Sequence, residues 1–162
     1  MAEAKIHARL VSLEQTAQSL NRVSNSINTI LAAVEKKLVE SNVGLEVWLN
    51  RVLGSTMSKA RVDQNFGRVD YSLQRELGFA KLNGTWCLTV RGVRTNDTFF
   101  EGDPKCPIHY EEVVEEPIPL MQASRQERIA ALSLLPDLLE AIENEATRAI
   151  QTIEEATKFV RE

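Results

Sequence analysis

The sequence predicts an α+β protein. Two long heptad-patterned helices form an antiparallel, coiled-coil-like helical hairpin, and a small antiparallel β meander of three to four strands is inserted between them. Three observations predict this plan. Apolar residues recur at alternating spacings of four and three near both ends of the chain, the signature of an a/d helical seam. Between those stretches the apolar period drops to two, as in half-buried strands. Within that middle part Asn83-Gly84 separates two alternating apolar runs, a strong signal for a two-residue hairpin turn. The chain therefore divides into a stalk helix (residues 1–42), a β module with an acidic, proline-containing loop (43–119) and a second stalk helix (120–162).

The first helix carries its seam at Ile6, Leu10, Leu13, Ala17, Leu20, Ser24, Ile27, Leu31, Val34 and Leu38. A helix with such a stripe is marginal alone in water, so the chain must supply a partner surface. From Val23 onward the stripe widens, with Val23 and Ile30 beside the seam. A wider stripe requires a second neighbour, either a dimer mate or the β module. Ser24 interrupts the seam, as a tolerated small polar residue or as a device that sets register. The helix should end near Ser41–Asn42, with Gly44 as a left-handed terminator.

In the β module, Leu45, Val47 and Leu49 alternate with Glu46, Trp48 and Asn50, which predicts a first strand. Residues 54–67 are rich in Ser, Thr, Asp, Asn and Gln and read as a loop, with room for one helical turn. Val69, Tyr71 and Leu73, then Leu77, Phe79 and Leu82, precede Asn83-Gly84. Trp86, Leu88 and Val90 follow on one face, so Trp86 is expected in the core. Residues 95–119 contain Pro104, Pro107, Pro117 and Pro119 with four glutamates around Val113-Val114. They read as an irregular, solvated connection with at most a short edge strand at 110–114.

The second helix opens on Ser124 and Glu127, the spacing of a capping box. Its seam runs Leu132, Leu135, Leu139, Ile142, Ala146, Ala149, Ile153, Ala156 and Val160. Pro136 lies inside it and predicts a kink in a continuous helix, because the heptad phase survives across it. Two such arms pair most simply with Ile6 near Ala156. The alanines leave that pair poor in buried area, so a homodimer or higher oligomer is expected. Helix, β insertion and helix is also the plan of prefoldin-type chaperone subunits. That architectural analogy implies a holdase, though this central module is longer than such a hairpin needs.

The search for chemistry yields no catalytic, metal or cofactor assignment. Cys106 and His109 have a C-x-x-H spacing, but a zinc site takes three or four ligands, and a thiol and an imidazole in a proline-rich loop are not a preorganised dyad. The seven glycines are scattered and make no phosphate loop. No apolar run approaches the ~20 residues needed to span a bilayer, and two cysteines without a disulfide framework suit a reducing cytoplasm. The net charge of −4 argues against a general grip on nucleic acid or anionic lipid. Charge is nevertheless uneven. Residues 51–94 hold eight Lys and Arg against three carboxylates, and residues 97–116 hold seven carboxylates against Lys105. The ordinary explanation is that the acidic segment neutralises the basic one. The functional one is a basic face for nucleic acid or an acidic partner. Trp48 points away from Leu45, Val47 and Leu49, and an exposed tryptophan on a sheet makes a binding hot spot. The partner-binding candidates are Trp48, Tyr71, Arg75, Lys81, Arg91 and Arg94. The leading expectation is a non-enzymatic, oligomeric scaffold whose β module binds another protein; nucleic-acid association and holdase activity are the alternatives.

Overall fold

The computed structural model describes residues 2–54, 57–63, 67–100 and 103–160. Helix α1 (Ala2–Glu40) is followed by strands β1 (Val47–Val52), β2 (Met57–Asp63), β3 (Gly67–Leu82), β4 (Thr85–Phe100) and β5 (Asp103–Pro119), a single 3-10 turn (Leu120–Gln122) and helix α2 (Arg125–Val160). All strand pairings are antiparallel, in the order β1-β3-β4-β5, with β2 also on β3. Because β4 pairs along the whole of β3, β1 and β2 lie end to end on its other edge. The sheet is five strands in number and four across.

Two long strands meeting at a tight turn set the frame. Asn83 (φ 48°) and Gly84 (φ 86°) both occupy the left-handed region that a type I′ turn demands, and β3 and β4 pair from Leu82↔Thr85 out to Arg68↔Phe99. Near the turn, Leu77, Phe79, Leu88 and Val90 share one face and are buried, with Val47, Leu49 and Leu53 of the β1 segment beside them. Both helices cover this face. Ile27, Leu31 and Leu38 of α1 and Ala131, Leu135, Leu138 and Ile142 of α2 complete the core. Trp86 joins its rim, half-buried and stacked on Phe79 with ring centroids 5.4 Å apart. Farther from the turn, β2, the first half of β3, the second half of β4 and most of β5 continue as a β arm.

The helices do not form the expected antiparallel hairpin, and the strands are not an insertion carried on one. The side chain of Arg125, at the start of α2, donates to Asn21 Oδ1 at 2.8 Å. The middle of α1, rather than Leu38, therefore lies at the beginning of α2. The seam residues expected to meet are apart and in solvent: Ile6, Leu10 and Leu13 are 59%, 57% and 61% exposed, and Ile153 is 65% exposed. The analogy with prefoldin-type subunits, which rests on that hairpin, loses its basis. The physical reason is visible in α2. Its buried and half-buried apolar positions are Ala131, Leu132, Leu134, Leu135, Leu138, Ala141 and Ile142, a broad stripe suited to a sheet rather than a narrow heptad line. Leu135 and Ile142 belong to both patterns, but the burial of Leu138 replaces that of Leu139, which is exposed.

Two further expectations are corrected. Residues 57–63, read as loop, are strand β2, and residues 95–100 and 103–119, within the stretch read as irregular, are the end of β4 and the whole of β5. The prolines misled because β5 is an edge strand, where a missing N–H can face outward without breaking the ladder. The ends of the helices follow their local signals. Asn42 (φ 49°) takes the left-handed position after α1, followed by Gly44 (φ 65°). The Glu127 carboxylate accepts from the Ser124 N–H at 2.8 Å, while the Ser124 hydroxyl accepts from the Glu127 N–H at 3.2 Å, the reciprocal bonds of a capping box. Helix α2 runs without interruption through Pro136.

Candidate functional site

Of the sequence candidates, Trp48 and Arg91 come together. Trp48 is opposite Gly78 in the β1–β3 register, on the face of the sheet away from the helices. Its indole lies flat over that glycine: a Cβ at residue 78 would sit 2.4 Å from Trp48 Cε3. The Arg91 guanidinium stacks on the ring, 4.1 Å from its centroid, a cation–π arrangement. Arg91 also donates through Nε and Nη2 to Glu76 Oε2 at 3.0 and 2.9 Å. The Glu76 side chain is almost wholly buried, which its guanidinium partner makes possible. On the other side, Trp48 Nε1 donates to Glu46 Oε1 at 2.7 Å. The result is a strip of exposed Glu46, half-buried Trp48 and Arg91 and buried Glu76 beside a glycine that the indole roofs. Glu76 and Glu46 were not among the sequence candidates; only the strand register, which places Gly78 beneath Trp48, reveals their part.

The other candidates are distributed. Arg75, on the helix side of the sheet, bridges the Glu115 carboxylate of β5 and Glu127 Oε1 of the α2 cap, the latter at 3.0 Å. Burial raises the Glu127 pKa, but the Ser124 hydroxyl and N–H and the Arg75 guanidinium outweigh it and hold the carboxyl below its ordinary value. Arg94 pairs with Glu112 at 3.5 Å across the arm. Arg51 pairs with Asp137 of α2 at 2.5 Å. Tyr71 is half-buried on the arm and Lys81 is exposed beside the β3–β4 turn. The acidic segment is thus the neighbouring strand of the basic one, and Arg75 and Arg94 spend their charge on its carboxylates. Lys59, Arg61 and Arg68 lie outside the residues whose side chains are described.

One titratable cluster stands on the arm. Asp97 and His109 are cross-strand partners, with His109 Nδ1 2.8 Å from Asp97 Oδ1 and Nε2 3.5 Å from Glu111 Oε1. The bond to Asp97, then that to Glu111, raises the His109 pKa above its ordinary value. The ring is more than half exposed. Among the described residues no group of three or more His, Cys, Asp and Glu side chains is arranged to hold a metal ion; Cys106 lies outside the residues whose side chains are described. Cys87 is buried, and burial, followed by the charge of Glu35, raises its thiol pKa. Glu35 itself accepts from the Leu88 N–H at 2.8 Å, so α1 satisfies a β4 donor just before the stretch where β5 begins to pair.

Among the described residues a long line of exposed apolar side chains lies on the helices. Residues 5–23 of α1 are exposed throughout, Ile6, Leu10, Leu13 and Leu20 included, and the seam enters the core only at Ser24, which is buried. Helix α2 leaves the core after Ile142. Ala146 and Ala149 are half-buried, and Ile150 and Ile153 are 58% and 65% exposed. Among the described residues no helix is long and apolar enough to cross a membrane. Comparison of the chain with protein-family models, with curated proteins and with solved structures gives no match.

Proposed function

We propose that the chain is a self-assembling interaction protein without catalytic chemistry of its own, whose free helical seams join copies and whose open sheet face meets another protein. The observation that carries this reading is the line Ile6, Leu10, Leu13 and Leu20, exposed along one side of a helix that continues directly into the core. Large apolar residues at heptad spacing with no neighbour are the ordinary mark of a helix that pairs with another. The Trp48–Arg91 strip supports the second half of the proposal, since tryptophan and arginine are the residues that most often anchor protein interfaces. The pairing of Arg75, Arg91 and Arg94 with carboxylates weighs against a phosphate-binding face, which needs uncommitted cations.

The experiment is sedimentation velocity of the full chain over a hundredfold range of concentration around 10 µM, beside a Leu10→Glu/Leu13→Glu variant. Assembly of the parent that the double variant loses, with unchanged near-ultraviolet circular dichroism, supports the reading. A parent that stays monomeric throughout defeats it.

A further inference from the structure

The two free seams differ in a complementary way. That of α1 is built from large residues, Ile6, Leu10, Leu13 and Leu20 with Ala17. That of α2 sets three alanines, Ala146, Ala149 and Ala156, among Ile150, Ile153 and Val160. Helices interdigitate best where large side chains face small ones. Charge differs in the same sense. Residues 1–23 carry three Lys and Arg against two carboxylates, whereas residues 143–162 carry five carboxylates against three Lys and Arg. Two α2 ends laid together would oppose alanine to alanine and carboxylate to carboxylate, a poor contact on both counts.

Within one copy these seams do not meet. The free part of α1 begins at Asn21, beside the first turn of α2. The free part of α2 begins past Ile142, seventeen residues or about 25 Å farther along that helix. The exposure of both confirms that neither covers the other.

Resting on the assembly reading above, we propose that the leucine-rich seam of α1 in one copy is covered by the alanine-rich seam of α2 in a second copy. Each copy then offers one end of each kind. If the exchange is mutual it closes a two-fold pair, and if it is not it runs head to tail. Ser24 marks the point on α1 where the seam passes from the second copy to the copy's own sheet.

Two full-length variants test this by sedimentation velocity: Leu10→Glu/Leu13→Glu, with only the α2 end intact, and Ile150→Glu/Ile153→Glu, with only the α1 end intact. All four positions are exposed, and circular dichroism checks that each variant is folded. The expected result is that each alone requires at least tenfold higher concentration to assemble than the parent, while a one-to-one mixture forms a dimer through the one matched joint. If the Ile150→Glu/Ile153→Glu variant assembles like the parent, α1 seams pair with each other; if the Leu10→Glu/Leu13→Glu variant does, α2 seams pair. Either result, or a mixture that restores nothing, overturns the inference while leaving self-assembly standing. A monomeric parent removes both.

Discussion

Arg91 occupies a position that decides the fate of another residue. Its guanidinium is the partner shown for a glutamate that has almost no access to water. Truncating it leaves a buried carboxylate uncompensated, which costs about 3–5 kcal/mol in comparable sites. Arg91→Ala should therefore lower stability by that order in urea denaturation, whereas Arg94→Ala, removing an exposed pair with Glu112, should cost under about 1 kcal/mol. Equal effects would show that the Glu76 pairing does not matter. His109 makes a second residue-scale prediction. Its pKa is raised in the folded state, so its contribution is complete below about pH 6.5 and is lost as pH rises through the folded value. Proton NMR titration should place the imidazole above the ordinary value, and Asp97→Asn should bring it back down; no change in that variant would refute the pairing. Trp48 could be singled out from the sequence as the odd residue in its strand. What it lies on could not, because the residue beneath it is thirty positions away and is specified only by register.

At the scale of elements, the hairpin turn, the α2 cap and the end of α1 were legible because each depends on residues adjacent in sequence. Strands β2 and β5 were not. β2 has few apolar residues and the prolines and carboxylates of β5 suit an edge, so neither shows a clean alternation of apolar and polar residues. The phase of α2 is the clearest case. Two heptad lines can be drawn through Leu135 and Ile142, and only the surface opposite chooses between them. The sheet selects the line with Leu138, which is fully buried, over that with Leu139, which is 40% exposed. Leu138→Ala should cost about 2–5 kcal/mol in thermal or chemical unfolding of the full chain, and Leu139→Ala should stay within about 0.5 kcal/mol of the parent. The reverse order would mean that α2 faces another helix rather than the sheet.

At the scale of the molecule, each helix is half inside the fold and half outside it. The sequence shows one heptad seam through all of α1, interrupted only at Ser24, because a heptad pattern records that a face is covered without recording by what. The chain uses the same face for its own sheet from Ser24 to Leu38 and leaves it bare before that. Helical segments without tertiary contacts are only marginally stable. Backbone amides of residues 5–20 and 150–158 should thus exchange with solvent rapidly in dilute solution and slow markedly as concentration rises, while those of residues 27–38 and 131–142 stay protected throughout. Exchange at the free ends that ignores concentration would count against assembly through them.

The Asn83-Gly84 turn has a consequence for the order in which the chain folds. The strands on either side of it are consecutive, and two pairs close to it, Phe79↔Leu88 and Leu77↔Val90, belong to the buried core. Closing this loop costs little chain entropy, whereas α1 and α2 meet across a separation of about a hundred residues. The hairpin should accordingly be formed in the rate-limiting step, with the helices docking later. Gly84→Ala, which strains a left-handed backbone at φ 86°, should slow refolding about five- to tenfold and leave the unfolding rate nearly unchanged. A stopped-flow chevron in which the loss appears on the unfolding arm would mean that the helices come together first.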